Sequence, residues 1–327
     1  GYNLKVLVKD TSNKPIENIC VGDKLLGFSE EGKRYWQESE VLATNTRKAK
    51  VYAINTKMGT TYATEEHKWL IYNGQWKNTL SLKKGMKIRT VGSPEFCNID
   101  DDFKLGYLAG AFYGDGWGCQ ATKLHNIFRP TAHKETIISK VGIQAKDYAF
   151  IKRVSEYINY FNIECSISER QVSAKYCVFI PGHRANTFIA LVSLWKEDSS
   201  SWKRGFIAGI FDAEGTANKG YGSINIANTE LPILIKLKTW LEDFGFEVIY
   251  YTIKKNKKYR KTGYIRLNGG FPTTIKFFGM FDTAIIRKRN NFLTKTDRKN
   301  KYGYSLGGRV FCPSTEVLSV IPLEERE

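Results

Sequence analysis

The stretch LGYLAGAFYGDG, residues 105–116, limits the possible folds of this chain more than any other. It is apolar and long enough for a helix, yet Gly106, Gly110 and Gly114 recur at every fourth position. Glycine inside a helix costs about 1 kcal/mol relative to alanine, so a row of three requires a compensating contact. A second stretch, KRGFIAGIFDAEG (203–215), places Gly205, Gly209 and Ala213 at the same spacing. Positions i, i+4 and i+8 share one helix face. Two faces without side chains let helices meet backbone to backbone, a packing best known from membrane pairs but steric in origin. The pattern predicts two helices packed on each other about a two-fold axis.

The surrounding segments repeat as well. DYAFIKRVSEYINYF (147–161) has its counterpart in ELPILIKLKTWLEDFGF (230–246), both with apolar residues at helical spacing. CSISE and YCVFIPG read as strands before a helix, ANTFIALVSLW; VIYYTIKK and GYIRLNGG precede FPTTIKFFGMFDTAI in the same way. Two copies of one unit, about 105–196 and 205–296, account for this within a region 98–300. A two-fold repeat in one chain implies a pseudo-symmetric monomer, the single-chain form of a homodimer. Residues 1–97 read instead as a small all-β unit, with LKVLV, KLLGF, KVYAINT and KWLIY separated by SNKP, EEGK and NGQ. The segment 301–327 returns to strand-like alternation and is expected to pack against that unit.

Each glycine row ends at an acid: Asp115 follows Gly114 and Glu214 follows Ala213. Two carboxylates at two helix C-termini, where both dipoles add negative potential, are unfavourable unless cations bind. Hard divalent ions suit such a site, Mg²⁺ above all, with several waters retained. Metal ions there can activate a water and stabilise the leaving oxygen of a phosphodiester. The balance of 50 Lys+Arg against 33 Asp+Glu, a net +17, favours a polyanionic partner, most often nucleic acid. Six scattered cysteines without a CxxC argue against a zinc site or disulfide framework and read as buried free thiols. No apolar run is long enough for a bilayer and no signal-peptide pattern opens the chain. A soluble, intracellular protein is expected, in the cytoplasm or nucleoid of a microbial or phage-infected cell, with no membrane partner.

LAGAFYGDG (108–116) and IAGIFDAEG (207–215) resemble the two signature helices of the LAGLIDADG homing endonucleases, and the resemblance spans both repeats. It implies an α+β fold of two αββαββα-like repeats, and cleavage of double-stranded DNA at long, rare sites. It also implies two or three divalent ions at the paired acids, with Mn²⁺ or Ca²⁺ substituting for Mg²⁺ in crystals. The catalytic, metal-binding acids are the eighth residues of each motif, here Asp115 and Glu214. A basic residue beside each metal centre is implied too: Lys196 or Lys203 for the first half, Arg287 or Lys288 for the second. Each half of such an enzyme lays a sheet along the major groove. YYTIKKNKKYRKTGYIRL fits that role, with Lys254, Lys255, Lys257, Lys258, Arg260 and Lys261 at a hairpin tip. TKLHNIFRPTAHK offers Arg129 and Lys134 in the first half. Where the second motif has Asp212 the first has Tyr113, a difference given no weight at this level.

Residues 1–97 resemble the N-terminal part of an intein (Hint-type) splicing domain, through KPIENICVGDKLLGF (14–28) and TEEH (64–67). In that resemblance Thr64 and His67 polarise the scissile amide. Gly1 stands where the splicing nucleophile would be, and VLSVIPLEERE ends the sequence before a terminal His-Asn pair, so this chain is not expected to splice. The expected protein is a metal-dependent, site-specific endonuclease of double-stranded DNA, inserted in a Hint-like domain. The competing readings are a non-cleaving nucleic-acid-binding protein on the same scaffold, such as a maturase or regulator, and chiefly a protein-splicing element.

Overall fold

The computed structural model describes residues 5–7, 13–28, 36–57, 59–89, 98–118, 140–170, 175–218, 223–253, 261–290 and 314–323. Within them the chain is a mixed α/β protein whose strands all pair antiparallel.

The N-terminal part is built from strands. β1 (Lys5–Leu7) pairs with β2 (Asn13–Pro15), and β3 (Lys24–Phe28) with β4 (Trp36–Glu40). β5 (Val51–Thr56) and β6 (Gly59–Thr64) form a hairpin, followed by β7 (Lys68–Leu70), β8 (Trp76–Asn78) and β9 (Lys87–Arg89). The SNKP separator therefore contains a strand, because Asn13–Pro15 finds an extended partner in Lys5–Leu7. Tyr52, Ile54, Leu82, Ile88 and Val317 make a small core of their own. Val317 belongs to the last strand of the chain, Ser314–Pro322, which lies between β5 and β9 in the sheet.

α1 (Asp101–Asp115) opens the next part and runs directly into β10 (Gly116–Gly118). β11 (Val141–Ala145), α2 (Tyr148–Tyr160), β12 (Ser166–Glu169), β13 (Tyr176–Ile180) and α3 (Gly182–Val192) follow. α4 (Ser200–Glu214) begins the same order again: β14 (Gly215–Ala217), β15 (Ile224–Asn228), α5 (Leu231–Asp243), β16 (Val248–Ile253), β17 (Thr262–Leu267) and α6 (Gly270–Phe281). A short α7 (Ile286–Asn290) is added after the second set, and the final strand is β18. The two sheets run β10-β11-β13-β12 and β14-β15-β17-β16. β10, β11, β14 and β15 have no signature in the sequence reading. β10 and β14, at three residues each, are too short for period-2 alternation to declare itself, and Gly142 interrupts the apolar run of β11.

The helix starts follow local chemistry. The Asp100 side chain accepts the Phe103 N–H at 2.8 Å, with Asp101 and Asp102 in the positive first turn of α1. Ser199 caps α4 through the Trp202 N–H. The two starts also hold each other, since Asp102 accepts the Ser199 hydroxyl at 2.7 Å and Asp100 accepts that of Ser201. Both helices are buried almost all round and sit in one large core with Phe150, Phe188, Trp240 and Phe277. Of the described cysteines only Cys177 is buried; Cys165 is half-buried and Cys20 exposed, which corrects the expectation of uniformly buried thiols. Cys20 lies beside an exposed turn where the small N-terminal core does not reach.

Candidate nuclease centre

The glycine rows of α1 and α4 face each other. A Cβ on Gly106 would overlap the Trp202 carbonyl oxygen, and one on Gly110 that of Phe206. A Cβ on Gly205 would overlap the Phe103 carbonyl oxygen, and one on Gly209 that of Tyr107. No side-chain rotation relieves a clash with backbone, so these four positions admit only hydrogen. Gly114 packs on the Ala213 methyl. The partners advance together along both helices, so α1 and α4 run parallel and both C-termini arrive at one place.

That place holds the acids. Asp115 and Glu214 are the last residues of α1 and α4, and Glu214 Cγ lies 3.3 Å from where a Gly114 Cβ would stand. Gly116 and Gly215 follow, each in extended backbone, and each is glycine because a Cβ there would strike Phe112 or Phe211. Both carboxylates line a cavity of about 590 Å³ with Gln144, Lys146, Thr216, Arg287 and Lys288. Burial, and then the charge of Asp115 beside it, pushes Glu214 up to about 7. Burial also raises Asp115, partly offset by Lys288. Two acids forced together and partly dried are poised to take up either a proton or a cation.

Of the four basic residues proposed from sequence, two reach this cavity. Lys288 is buried and donates to the carbonyls of Phe211 at 2.8 Å and Asp212 at 2.6 Å, at the negative end of α4. Arg287 pairs with Asp147 at 3.0 Å on the cavity wall. Lys196 and Lys203 do not reach it. Lys196 bonds Asp102 at 2.6 Å, thirteen residues before Asp115 in α1, hence about 20 Å away along the helix. Lys203 stands in the first turn of α4, about 16 Å along the helix from Glu214. The parallel packing explains this: the segment leading into α4 must arrive at the end of the helix pair opposite the acids. On the first-half side of the cavity the cation among the described residues is Lys146, which directly follows β11 and was missed from sequence because that strand gave no signal.

Asp212 was missed as well. It is buried, accepts the Tyr107 hydroxyl at 2.7 Å, and accepts the N–H groups of Ala284 at 2.6 Å and Ile285 at 3.2 Å. Burial raises its pKa while these donors lower it. The unequal pair Tyr113 and Asp212 was the one visible signal. Asp212 ties α1, α4 and the α6–α7 turn together, and so sets where Lys288 sits.

Among the expected DNA contacts, Lys261 is exposed immediately before β17. Lys254, Lys255, Lys257, Lys258, Arg260, Arg129 and Lys134 lie outside the described residues. Thr64 and His67 bracket the turn between β6 and β7. The Thr64 carbonyl accepts the His67 N–H at 3.2 Å and the Thr79 hydroxyl at 2.7 Å, and the His67 ring meets Trp69 edge-on at 4.8 Å. Among the described residues no helix is long and apolar enough to cross a membrane.

Residues 201–292 match the family profile of the LAGLIDADG-like domain. No curated protein matches the chain. Among solved structures it is similar to the homing endonuclease I-DmoI in complex with DNA and Mn, at 16% identity over 57% of this chain and 100% of that one, with a TM-score of 0.41. It is similar to the N-terminal LAGLIDADG domain of DUF199/WhiA, at 11% identity over 55% of this chain and 82% of that one, TM-score 0.41. Full-length DUF199/WhiA from Thermatoga maritima gives 11% identity over 57% of each chain, TM-score 0.42.

Proposed function

We propose that this chain, with a LAGLIDADG-like domain over residues 201–292, is a metal-dependent, site-specific endonuclease of double-stranded DNA, acting as a pseudo-two-fold monomer. The observation that carries this reading is the meeting of Asp115 and Glu214 at the paired C-termini of α1 and α4, inside one cation-rimmed cavity. The donor set fits a hard divalent ion. Two adjacent carboxylates with raised pKa gain from a cation, and the cavity leaves room for water ligands. Among the described residues no group of three or more His, Cys, Asp and Glu forms a protein cage, which suits Mg²⁺ better than a structural metal. Asp115 and Glu214 would hold the ion, with Mn²⁺ or Ca²⁺ as substitutes in crystals. When bound it supplies water activation and stabilisation of the leaving oxygen.

The protein's own groups prepare the rest. Lys288 is fixed by two carbonyls before any substrate arrives, so its charge needs no reorganisation to meet a phosphate. Arg287 and Lys146 add positive charge on the cavity wall, and Gln144 and Thr216 offer neutral hydrogen-bonding groups there. Lys261, and the basic residues that precede it in sequence, would contact flanking phosphates.

The domain division follows the same reading: a Hint-like unit over 1–97, an inserted endonuclease over 98–300, and a return segment over 301–327. Its support is the pairing of Ser314 with Arg89, through which the chain leaves and re-enters one sheet on adjacent strands. Thr64 and His67 are the proposed relics of the splicing site.

The test is cleavage in Mg²⁺ of duplexes selected from a random library. A double-strand break is expected, abolished by Asp115→Asn and by Glu214→Gln while binding persists. Cleavage by either variant at the wild-type rate refutes the assignment of the acids, and tight binding without cleavage by the wild type favours a non-cleaving regulator.

A further inference from the structure

We propose that the outer face of the sheet β14-β15-β17-β16 reads the 5-methyl groups of pyrimidines, thymine foremost, through Ile249, Tyr251 and Ile253. This rests on the DNA reading above and adds which base chemistry the second half recognises. Strand register joins this face to the acid cavity. Thr216, which lines the cavity, pairs with Asn225, Asn225 with Arg266, and Arg266 with Ile249. The opposite faces of these strands, with Ile226, Ile265 and Leu267, are in the core, so the row points outward. A duplex with a phosphate in the cavity therefore lies along this face.

The face changes character with distance from the acids. Near the cavity it is polar; on β16 it is apolar, with Ile249 44%, Tyr251 40% and Ile253 44% exposed. The Tyr251 ring stacks on Tyr264, with centroids 5.2 Å apart and planes at 9°. Three exposed apolar side chains in a row on a sheet edge call for an apolar partner. A second copy of this chain is disfavoured by charge. Arg266 stands on the face, Lys261 beside it, and the sequence joining β16 to β17 adds Lys254, Lys255, Lys257, Lys258 and Arg260. A polyanion that also presents apolar groups satisfies both features, and the only such groups on a DNA groove edge are C5-methyls. Alternate residues on a strand are about 7 Å apart, close to two base-pair rises of about 3.4 Å. Ile249, Tyr251 and Ile253 should therefore meet methyls two base pairs apart. Among the described residues the first half has no such face. There Trp117 lies over Gly142, meets Phe179 at 5.6 Å, and is covered by Arg170, whose guanidinium is 4.6 Å from the Phe179 ring.

The test uses the full chain, without metal, on duplexes selected for binding from a random library. Each thymine of the selected site is replaced in turn by uracil, which removes only the methyl. Binding is expected to weaken about fourfold at thymines two base pairs apart in one half-site, the fold-change for about 0.8 kcal/mol per buried methyl. Ile249→Ser and Ile253→Ser, with melting temperature unchanged, should each erase the uracil effect at one position and leave the others. Specific binding that ignores uracil everywhere, or uracil effects that neither substitution alters at any position, overturns this inference alone. A dimer that Ile253→Ser dissociates would assign the face to a second copy and overturn it too. If no duplex is selected, the DNA reading falls and takes this inference with it.

Discussion

On the outer face of the first sheet the row nearest the acids reads Trp117, Gly142, Phe179 and Ser166; on that of the second it reads Thr216, Asn225, Arg266 and Ile249. The same register thus carries a self-covered aromatic cluster in one half and an open mixed face in the other. Beneath the sheets the halves converge: Gly106 and Gly205, Gly110 and Gly209 meet the facing backbone in the same manner. They part again at the sixth motif position. Tyr113 is half-buried, 6.1 Å from the Phe206 ring, whereas Asp212 is buried under three donors. A contact made of bare backbone tolerates no variation, so both copies keep it. A surface that meets a ligand is free to diverge, and one buried charge can organise a shared centre without a twin.

If the interface is as symmetric as the overlaps indicate, Gly110→Ala and Gly209→Ala should be equally damaging. Each sets a methyl against a carbonyl on a helix that cannot move aside, and a loss of at least about 3 kcal/mol is expected by urea denaturation. A tolerant member of the pair would break the equivalence. The asymmetric position should separate the halves next. Asp212→Ala orphans the Tyr107 hydroxyl and two backbone N–H groups and should cost about 3 kcal/mol, while Tyr113→Phe keeps its ring contact and should cost under about 1 kcal/mol.

Glu214 should respond to pH in the opposite sense to an ordinary ion-paired acid. Its folded pKa of about 7 lies above the ordinary 4.5, so the native state holds the proton more tightly than the unfolded chain. The cost of ionising it is absent below pH about 4.5, grows between 4.5 and 7, and is complete above 7. Glu214→Gln should therefore stabilise the metal-free protein by about 1–3 kcal/mol at pH 8 and by nothing at pH 4.5, as read by melting temperature. Titration calorimetry with Mn²⁺ should show the converse, affinity rising through pH 6–7 and levelling above as the proton ceases to compete. Smallest of all, Lys196→Met removes an exposed pair with Asp102 and should change stability by less than about 1 kcal/mol and cleavage not at all. Loss of cleavage would place Lys196 at the centre despite the helix geometry.

The sequence alone determined the helix pair and its acids. A glycine every fourth residue has one economical steric use, and its occurrence twice, each time followed by an acid, marks Gly106, Gly110, Gly205, Gly209, Asp115 and Glu214 by spacing alone. It also marked several strands, among them β3, β5, β12, β13, β16 and β17, by apolar or alternating runs of four to six residues. What it left open depends on which distant segments meet. Lys146 and Lys288 line the cavity while Lys196 and Lys203 stand at the far end, because the parallel course of α1 and α4 carries one loop toward the acids and the other away. Nothing in the local composition of four lysines distinguishes them. Asp212 likewise owes its role to Tyr107, Ala284 and Ile285, more than 70 residues away on either side, and the outward face of β16 to pairings the chain makes only when folded. Local sterics are written in sequence spacing; the electrostatics of a site depend on through-space distances, and only the packed structure sets those.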